Sequence, residues 1–163
     1  SMKLTPCLSA TNTGKVPFSV TEGFHPYFRI RSRAGITVRG VDGCAFMDTT
    51  EPEKGDDRLW TGDYAPVTDG SKIFAVTKHE HVILDPGLKR ALAVVSRGNK
   101  KLVVWNPGPG RDEMKADLGE DGWDHFVCVE PATIYQDVAI KLAPGDEHKL
   151  VMAIQSVPEG AQN

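Results

Sequence analysis

The chain lacks the features that mark several classes of protein. With 19 basic and 22 acidic residues among 163, its formal net charge is only −3. That balance argues against a nucleic-acid binder, because such proteins carry a strong basic excess. No apolar run approaches the length of a membrane span, and the N-terminal residues show no signal-peptide pattern. We therefore expect a cytoplasmic protein with no nucleic-acid and no membrane partner.

Cysteine is also scarce, which bears on redox state and on metal binding. Cys7, Cys44 and Cys128 are odd in number and lack the spacing of a metal site, so we expect reduced thiols of a cytosolic protein. His79 and His81 alternate on a possible strand, but no nearby cysteine or second histidine pair completes a ligand set. We expect solvated surface histidines there, no bound metal and no cofactor.

Sustained helical periodicity is missing, and the pattern that is present is typical of an all-β protein. The 16 glycines and 11 prolines separate short runs of β-forming residues. Several runs alternate apolar with polar residues, as half-buried strands do. Regularly spaced short strands fit a sandwich or a barrel, between which periodicity does not decide. We predict an antiparallel β-sandwich forming one domain over residues 1–163.

The punctuation of the chain also predicts where the elements lie. Thr49–Thr68, rich in charge, glycine and proline, is the expected long loop, and Lys115–Asp121 is a possible short helical turn. The candidate strands are Leu4–Thr11, Phe18–Glu22, Tyr27–Arg33, Ile36–Arg39, Lys72–Val76, His81–Leu84, Ala91–Ser96, Leu102–Trp105, Phe126–Glu130, Val138–Leu142 and Lys149–Gln155.

Two distant segments each place one ionisable side chain among apolar or aromatic neighbours. His25 follows Phe24 and precedes Pro26, and Glu130 ends an apolar run before Pro131. Such groups must form hydrogen bonds, shift their pKa or take part in function. His25 is either a packed structural ring or a general acid or base, since imidazole titrates near neutrality. Glu130 lies where Pro131 is expected to end the strand, a position suited to proton transfer.

A third segment, Val103–Gly110, runs from an apolar strand into a turn with Trp105 and Asn106 at its rim. Asn-Pro and Pro-Gly form such turns by themselves. The alternative is functional, because an aromatic face beside an amide suits a sugar. Arg29, Arg31 and Arg33 alternate on a predicted strand, where a solvated basic stripe and a phosphate contact both remain open.

Together these segments resemble the aldose 1-epimerase (mutarotase) superfamily, especially its hexose-6-phosphate mutarotase branch. The resemblance covers nearly the whole chain, which is similar to the C-terminal part of these longer proteins. The matching residues, in chain order, are Thr11-Asn12-Thr13-Gly14, Pro17-Phe18, His25-Pro26-Tyr27-Phe28, Ile83-Leu84-Asp85-Pro86 with Arg90, Val104-Trp105-Asn106-Pro107-Gly108, Met114, Asp117 and Phe126–Pro131.

The resemblance implies a galactose mutarotase-like supersandwich, N-terminally shortened, that opens the ring of a free aldose. It implies that Glu130 is the general base for the anomeric hydroxyl and that protonated His25 donates to the ring oxygen. The implied substrate-binding residues are Tyr27, Trp105, Asn106, Ser71 and Asp69. Ser71 stands where many members carry an acidic residue, and Asp69 could replace that residue only if the loop shifts.

The shortened chain leaves alternatives open. The N-terminal part of the family supplies further strands, an arginine and a histidine that hold the sugar, and much of the phosphate contact. The chain is therefore a mutarotase for hexoses or hexose 6-phosphates, a non-catalytic carbohydrate-binding or regulatory module, or a fragment active only with a partner. Missing strands leave open sheet edges, so a homodimer that covers them is a further expectation.

Overall fold

The computed structural model describes residues 3–67, 69–110, 115–135 and 139–157. Met114 and Val138 fall outside these ranges, and no helix within them has the length and apolar character of a membrane span. The elements are β1 (Lys3–Leu4), β2 (Cys7–Thr11), β3 (Phe18–Val20), β4 (Glu22–Gly23), β5 (Tyr27–Arg29), β6 (Thr37–Arg39), β7 (Ala45–Asp48), β8 (Arg58–Leu59), β9 (Gly70–Ala75), β10 (Glu80–Asp85), β11 (Arg90–Arg97), β12 (Lys101–Asn106), α1 (Lys115–Leu118), β13 (Phe126–Thr133), β14 (Ile140–Leu142) and β15 (Glu147–Val157). Short 3-10 turns occupy Arg33–Gly35, Pro52–Lys54, Pro86–Leu88 and Gly122–His125.

The strands pair antiparallel into two large sheets and one small one. The six-stranded sheet has the order β1-β15-β11-β10-β6, with β2 also on β15. The seven-stranded sheet has the order β4-β13-β12-β9-β7-β8, with β5 also on β13, and β3 pairs with β14. The prediction of an antiparallel all-β fold is confirmed.

The inner faces of the two large sheets meet in an apolar core. Val94 and Met152 reach it from the six-stranded sheet, and Phe74, Val104 and Val127 reach it from the seven-stranded sheet. Side chains alternate along a strand. The residues next to Phe74, Val104 and Val127 on their strands therefore point to the outer face of the seven-stranded sheet. We call that outer face the site face. Its central members, in neighbouring rows, are Met47, Ile73, Val103 and Glu130, then Ser71, Trp105, Cys128 and Tyr27.

The long loop predicted for Thr49–Thr68 contains more structure than expected. It includes β8, which pairs with β7, and Tyr64, whose backbone exchanges hydrogen bonds with Val38. Trp60 packs edge-on against Tyr64 and Phe74 at ring-centroid distances of 5.1 and 6.0 Å. Two-residue strands are too short to produce an alternating pattern. The prediction of a loop therefore followed from the charged residues, glycines and prolines around these aromatic side chains.

The strand that carries Glu130 does not end before Pro131. It continues to Thr133, and the backbone N–H of Phe24 donates to the carbonyl oxygen of Pro131 at 3.1 Å. A residue's N–H and C=O point to the same side of a strand, so the N–H that Pro131 lacks would face the segment between β4 and β5. The ladder is already interrupted there, and the proline therefore costs no strand hydrogen bond.

The expectation of two solvated histidines is wrong for His81. Its side chain is 1% exposed, whereas His79 lies at the surface. Burial, together with the nearby charges of His79 and Lys78, lowers the pKa of His81 to about 4. Cys7, Cys44 and Cys128 are all free thiols.

Candidate active site

Glu130 projects from the middle of β13 onto the site face. Val103 lies directly opposite on β12, and Ile73 and Met47 continue the same row on β9 and β7. Only 9% of Glu130 is exposed. This apolar setting disfavours the charged form, and burial raises the pKa of Glu130 to about 7. The carboxyl group is therefore able to gain or lose a proton near neutral pH.

His25 reaches Glu130 from the segment that joins β4 to β5. Its Nε2 lies 3.4 Å from Oε1 of Glu130, and the imidazole is 52% exposed while the carboxylate is 12% exposed. The close approach of β4 to β13 depends on Gly23, since a Cβ there would lie 3.0 Å from the Cβ of Ala132. The structure thus places side by side the two ionisable groups that the sequence singled out.

Aromatic rings surround the pair. His25 stacks on Tyr27 with ring centroids 5.1 Å apart and meets Trp105 edge-on at 5.6 Å. Phe126 packs against both Tyr27 and Trp105, at 4.9 and 5.9 Å. Tyr27 remains 53% exposed, so the group presents ring surface at the mouth of the site. Such surface suits the apolar face of a sugar ring.

Cys128 is a further member of the site that is absent from the predicted residues. It lies two residues before Glu130 on the same face of β13, and its register partners are Tyr27 and Trp105. Burial and the nearby Glu130 carboxylate raise the pKa of the Cys128 thiol well above its usual range. Alternation along β13 could have indicated it, because residues i and i+2 share a face.

Ser71 lies on the site face of β9. A cavity of about 240 Å³ also opens on this face, beside the row that contains Glu130. Ser71 pairs with Trp105 in the register of β9 and β12. The cavity is lined by Met47, Asp56, Ile73, Lys101 and Tyr135. Met47 and Ile73 belong to the row that ends at Glu130, so the cavity continues the site along the same face.

Lys101 brings a positive charge to this cavity and is also absent from the predicted residues. It lies opposite Ala132, two positions along β12 from Val103, and therefore diagonal to Glu130. Diagonal neighbours across two strands are about 7–8 Å apart. Within the ranges that the structure describes, no carboxylate lies within ion-pair distance of its ammonium group. The charge is therefore available to a ligand.

The position of Asn106 disagrees with the prediction that this residue contacts the sugar. It is 0% exposed and points to the inner side of the sheet. Its Nδ2 donates to the carbonyl oxygens of Trp123 and Phe126, both at 2.7 Å, and its Oδ1 accepts from Gly108 N at 2.9 Å. The side chain holds the turn after β12 and has no exposed group for a ligand.

The carboxylate of Asp69, also predicted to bind the sugar, forms an ion pair with Arg33 instead. Its Oδ1 accepts a hydrogen bond from Nη1 of Arg33 at 2.6 Å. Gly108 passes so close that a Cβ there would lie 1.8 Å from the same oxygen, so only glycine fits beside this carboxylate. Arg33 also stacks over Trp123 at 4.8 Å. The predicted basic stripe does not form, because β5 ends at Arg29 and Arg33 begins a 3-10 turn.

Comparison with known proteins places this arrangement in a family. The model of the aldose 1-epimerase family matches residues 2–155. The chain belongs to this family. A proposed glucose-6-phosphate 1-epimerase of Cenchrus ciliaris is 26% identical over 162 residues, covering 96% of the chain and 47% of that protein. Another from Escherichia coli (strain K12) is 31% identical over 116 residues, covering 71% of the chain and 38% of that protein.

Solved structures agree with this family assignment. The crystal structure of a proposed mutarotase from Salmonella typhimurium superposes with a TM-score of 0.78 at 25% identity, covering 94% of the chain and 50% of that protein. The fold is therefore the mutarotase-like β-sandwich that the resemblance implied. The chain spans half or less of the length of these three relatives.

Proposed function

We propose that the protein interconverts the α and β anomers of a hexose or a hexose 6-phosphate by acid–base ring opening. The observation that carries the proposal is the 3.4 Å separation of His25 Nε2 and Glu130 Oε1. The hydroxyl oxygen and the ring oxygen of a hemiacetal are bonded to the same carbon. Two groups that exchange protons with these oxygens must therefore be neighbours, as His25 and Glu130 are.

The two residues take opposite roles in this proposal. Ionised Glu130 removes the proton of the anomeric hydroxyl, and protonated His25 donates a proton to the ring oxygen. The C1–O5 bond breaks, the aldehyde rotates about C1–C2, and reclosure from the other side inverts the anomeric centre. On reclosure, protonated Glu130 returns its proton to the anomeric oxygen, and the O5 hydroxyl returns its proton to His25. A base with a pKa of about 7 suits a reversible transfer at neutral pH.

The surroundings of the pair support a sugar as the substrate. Tyr27 and Trp105 offer ring surface, and the hydroxyl of Ser71 lies on the same face for a hydrogen bond. Lys101 stands beyond Glu130 in the adjoining cavity, where it would contact a phosphate on the far end of a hexose 6-phosphate. The relatives named glucose-6-phosphate 1-epimerases favour the phosphate ester.

Anomer exchange followed by NMR on glucose, galactose and glucose 6-phosphate tests this proposal. General acid–base catalysis contributes about 10²–10⁴-fold to a rate. We therefore expect Glu130→Gln and His25→Ala each to lower the enzymatic rate by about a hundredfold or more. Glu147→Gln makes the same chemical change at an exposed carboxylate of the other large sheet and should retain the wild-type rate.

The proposal fails if wild type and Glu130→Gln both exchange anomers at the rate of buffer alone. Equilibrium binding of the same sugars then separates the remaining alternatives. Sugar binding without exchange would support a non-catalytic carbohydrate-binding or regulatory module. If the protein neither binds these sugars nor exchanges their anomers, the remaining alternative is a fragment that requires a partner.

A further inference from the structure

We propose that His25, Cys128 and Glu130 form a binding site for a thiophilic divalent cation, for which Zn²⁺ is the best fit. Each residue offers one donor atom, and the nitrogen, sulfur and oxygen donors all lie within 4.8 Å of one another. In the described part of the chain, this is the one group of three or more His, Cys, Asp or Glu residues that converges so closely. His25 is too far in sequence from Cys128 and Glu130 for the three residues to show a metal-site spacing.

The distances suit tetrahedral coordination. Zinc binds imidazole nitrogen and carboxylate oxygen at about 2.0–2.2 Å, which places two such donors about 3.4 Å apart around one tetrahedral ion. Nε2 of His25 and Oε1 of Glu130 are 3.4 Å apart without any rearrangement. The Cys128 sulfur lies within 4.8 Å of both atoms, so it is placed to serve as the third ligand.

The supporting elements hold two donors rigidly and leave the third accessible. Cys128 and Glu130 share one face of β13, which is buried along its whole length, pairs with β12 at both residues and pairs with β5 at Cys128. His25 projects from the β4–β5 segment and is 52% exposed, so an ion can enter on its side. Tyr27 and Trp105 wall the group, as an apolar shell does in metal sites.

The donor chemistry selects the ion. A thiolate with an imidazole favours Zn²⁺ and Co²⁺, whereas Mg²⁺ and Ca²⁺ prefer oxygen ligands alone. On binding, the S–H bond of Cys128 breaks, the sulfur–metal bond forms, and the proton passes to the buffer with no change of oxidation state. Three protein ligands leave the fourth position to water. If the proposed function holds, the ion occupies both the acid and the base and blocks anomer exchange.

Titration of the metal-free protein with Co²⁺ tests the site directly, because thiolate ligation produces a near-ultraviolet charge-transfer band. We expect one equivalent to develop this band in wild type and in Cys7→Ala, which removes the exposed free cysteine. Cys128→Ala should lack the band. A wild type without the band, or a Cys128→Ala variant that retains it, overturns the proposal.

A second measurement covers the case in which Cys128→Ala does not fold. Calorimetric Zn²⁺ titration of His25→Ala should show affinity at least about tenfold weaker than wild type, since one of three ligands is lost. His79→Ala, a change at an exposed histidine, should bind as wild type does. Equal affinities for His25→Ala and wild type contradict the site. Binding is measured without sugar, so a failure of the proposed function would appear only as absent exchange by the metal-free protein.

Discussion

The immediate surroundings of Glu130 determine how readily its carboxyl group ionises. Its carboxylate faces Val103 across the strands and His25 across the mouth, and it is only 9% exposed. Burial disfavours the charged form of the carboxylate. The net result, a pKa raised to about 7, makes this carboxyl group a stronger base than an exposed glutamate.

The pH dependence of the rate should reveal that shift. Glu130 acts as a base only when ionised, so the rate should rise with pH up to about 7 and fall about tenfold per unit below it. Anomer exchange measured at a series of pH values checks this. Val103→Asn, which places an amide opposite the carboxylate, should move the rising limb to lower pH. A wild-type limb centred near the ordinary glutamate value of 4.5 would contradict the assignment.

Single residues in unusual surroundings were predictable from the sequence, and their neighbours were not. His25 and Glu130 stood out because each is ionisable among apolar residues. Cys128 and Lys101 reach the same face only through the register of β13 with β12, which no local pattern specifies. Asn106 failed as a predicted sugar contact because alternation turns it inward from Trp105, where it caps the turn.

At the scale of elements, β12 and β13 together build the site, and β12 also carries Lys101 into the cavity. A hydrogen bond to a charged group contributes about 1.5–3 kcal/mol, so losing it should cost about tenfold or more. We expect Lys101→Ala to lower kcat/KM for glucose 6-phosphate by that factor and to leave glucose nearly unchanged. Steady-state kinetics on both sugars measures the difference.

Lys100→Ala is the matched control, because Lys100 is exposed and lies just before β12. It should behave as wild type with both sugars. An equal loss on glucose and glucose 6-phosphate in Lys101→Ala would assign Lys101 to folding or to general sugar binding instead of to the phosphate.

A buried ion pair fixes β7 beside β9. Lys72 donates to Asp48, and the two side chains are 10% and 8% exposed. Burial opposes ionisation, but hydrogen bonds from Lys72 and Thr50 lower the pKa of Asp48 to about 2. Asp48→Ala leaves the ammonium group buried without its partner and should destabilise the protein by about 3–5 kcal/mol in urea unfolding. The double variant Asp48→Ala, Lys72→Met should recover most of that loss, and no recovery would refute this explanation.

Element prediction succeeded where the alternation was long and failed where it was short. The strands β9 to β13 and β15 were all anticipated within a few residues. β8 was missed because two residues carry no period. The end of β13 was misplaced because the effect of Pro131 depends on which neighbour its nitrogen faces, and that neighbour is distant in sequence.

At the scale of the whole molecule, two buried groups give stability opposite dependences on pH. Between about pH 4 and 6.5 the unfolded chain protonates His81 and the folded chain does not, so stability falls as pH falls. Between about pH 4.5 and 7 folded Glu130 holds a proton that the unfolded chain releases, so stability falls as pH rises. Each shift corresponds to about 3 kcal/mol.

Urea unfolding of His81→Gln and Glu130→Gln across this range separates the two contributions. Relative to wild type, Glu130→Gln should gain up to about 3 kcal/mol as the pH rises through the window. The difference in free energy of unfolding between His81→Gln and wild type should shift by a similar amount in favour of the variant as the pH falls from neutral. Differences from wild type that do not vary with pH in either variant would contradict the shifts.

Assembly remains a prediction. In the part of the chain that the structure describes, β2 pairs only with β15, and Leu4 and Leu8 are 63% and 39% exposed. An uncharged open edge of this kind favours pairing with another chain. We expect a homodimer at micromolar concentration in analytical ultracentrifugation, weakened by Leu8→Lys. A wild type that sediments as a monomer would argue against it.

Pro131 has a consequence beyond the length of β13. The registers of β4 and β5 on β13 are in phase, so the three residues between these strands stand opposite Pro131, Glu130 and Val129. Pro131 lies opposite Phe24 and Pro26 lies opposite Val129, and neither proline can donate a backbone hydrogen bond. The proposed acid and base thus stand opposite each other in a gap of the ladder that a proline flanks on each side.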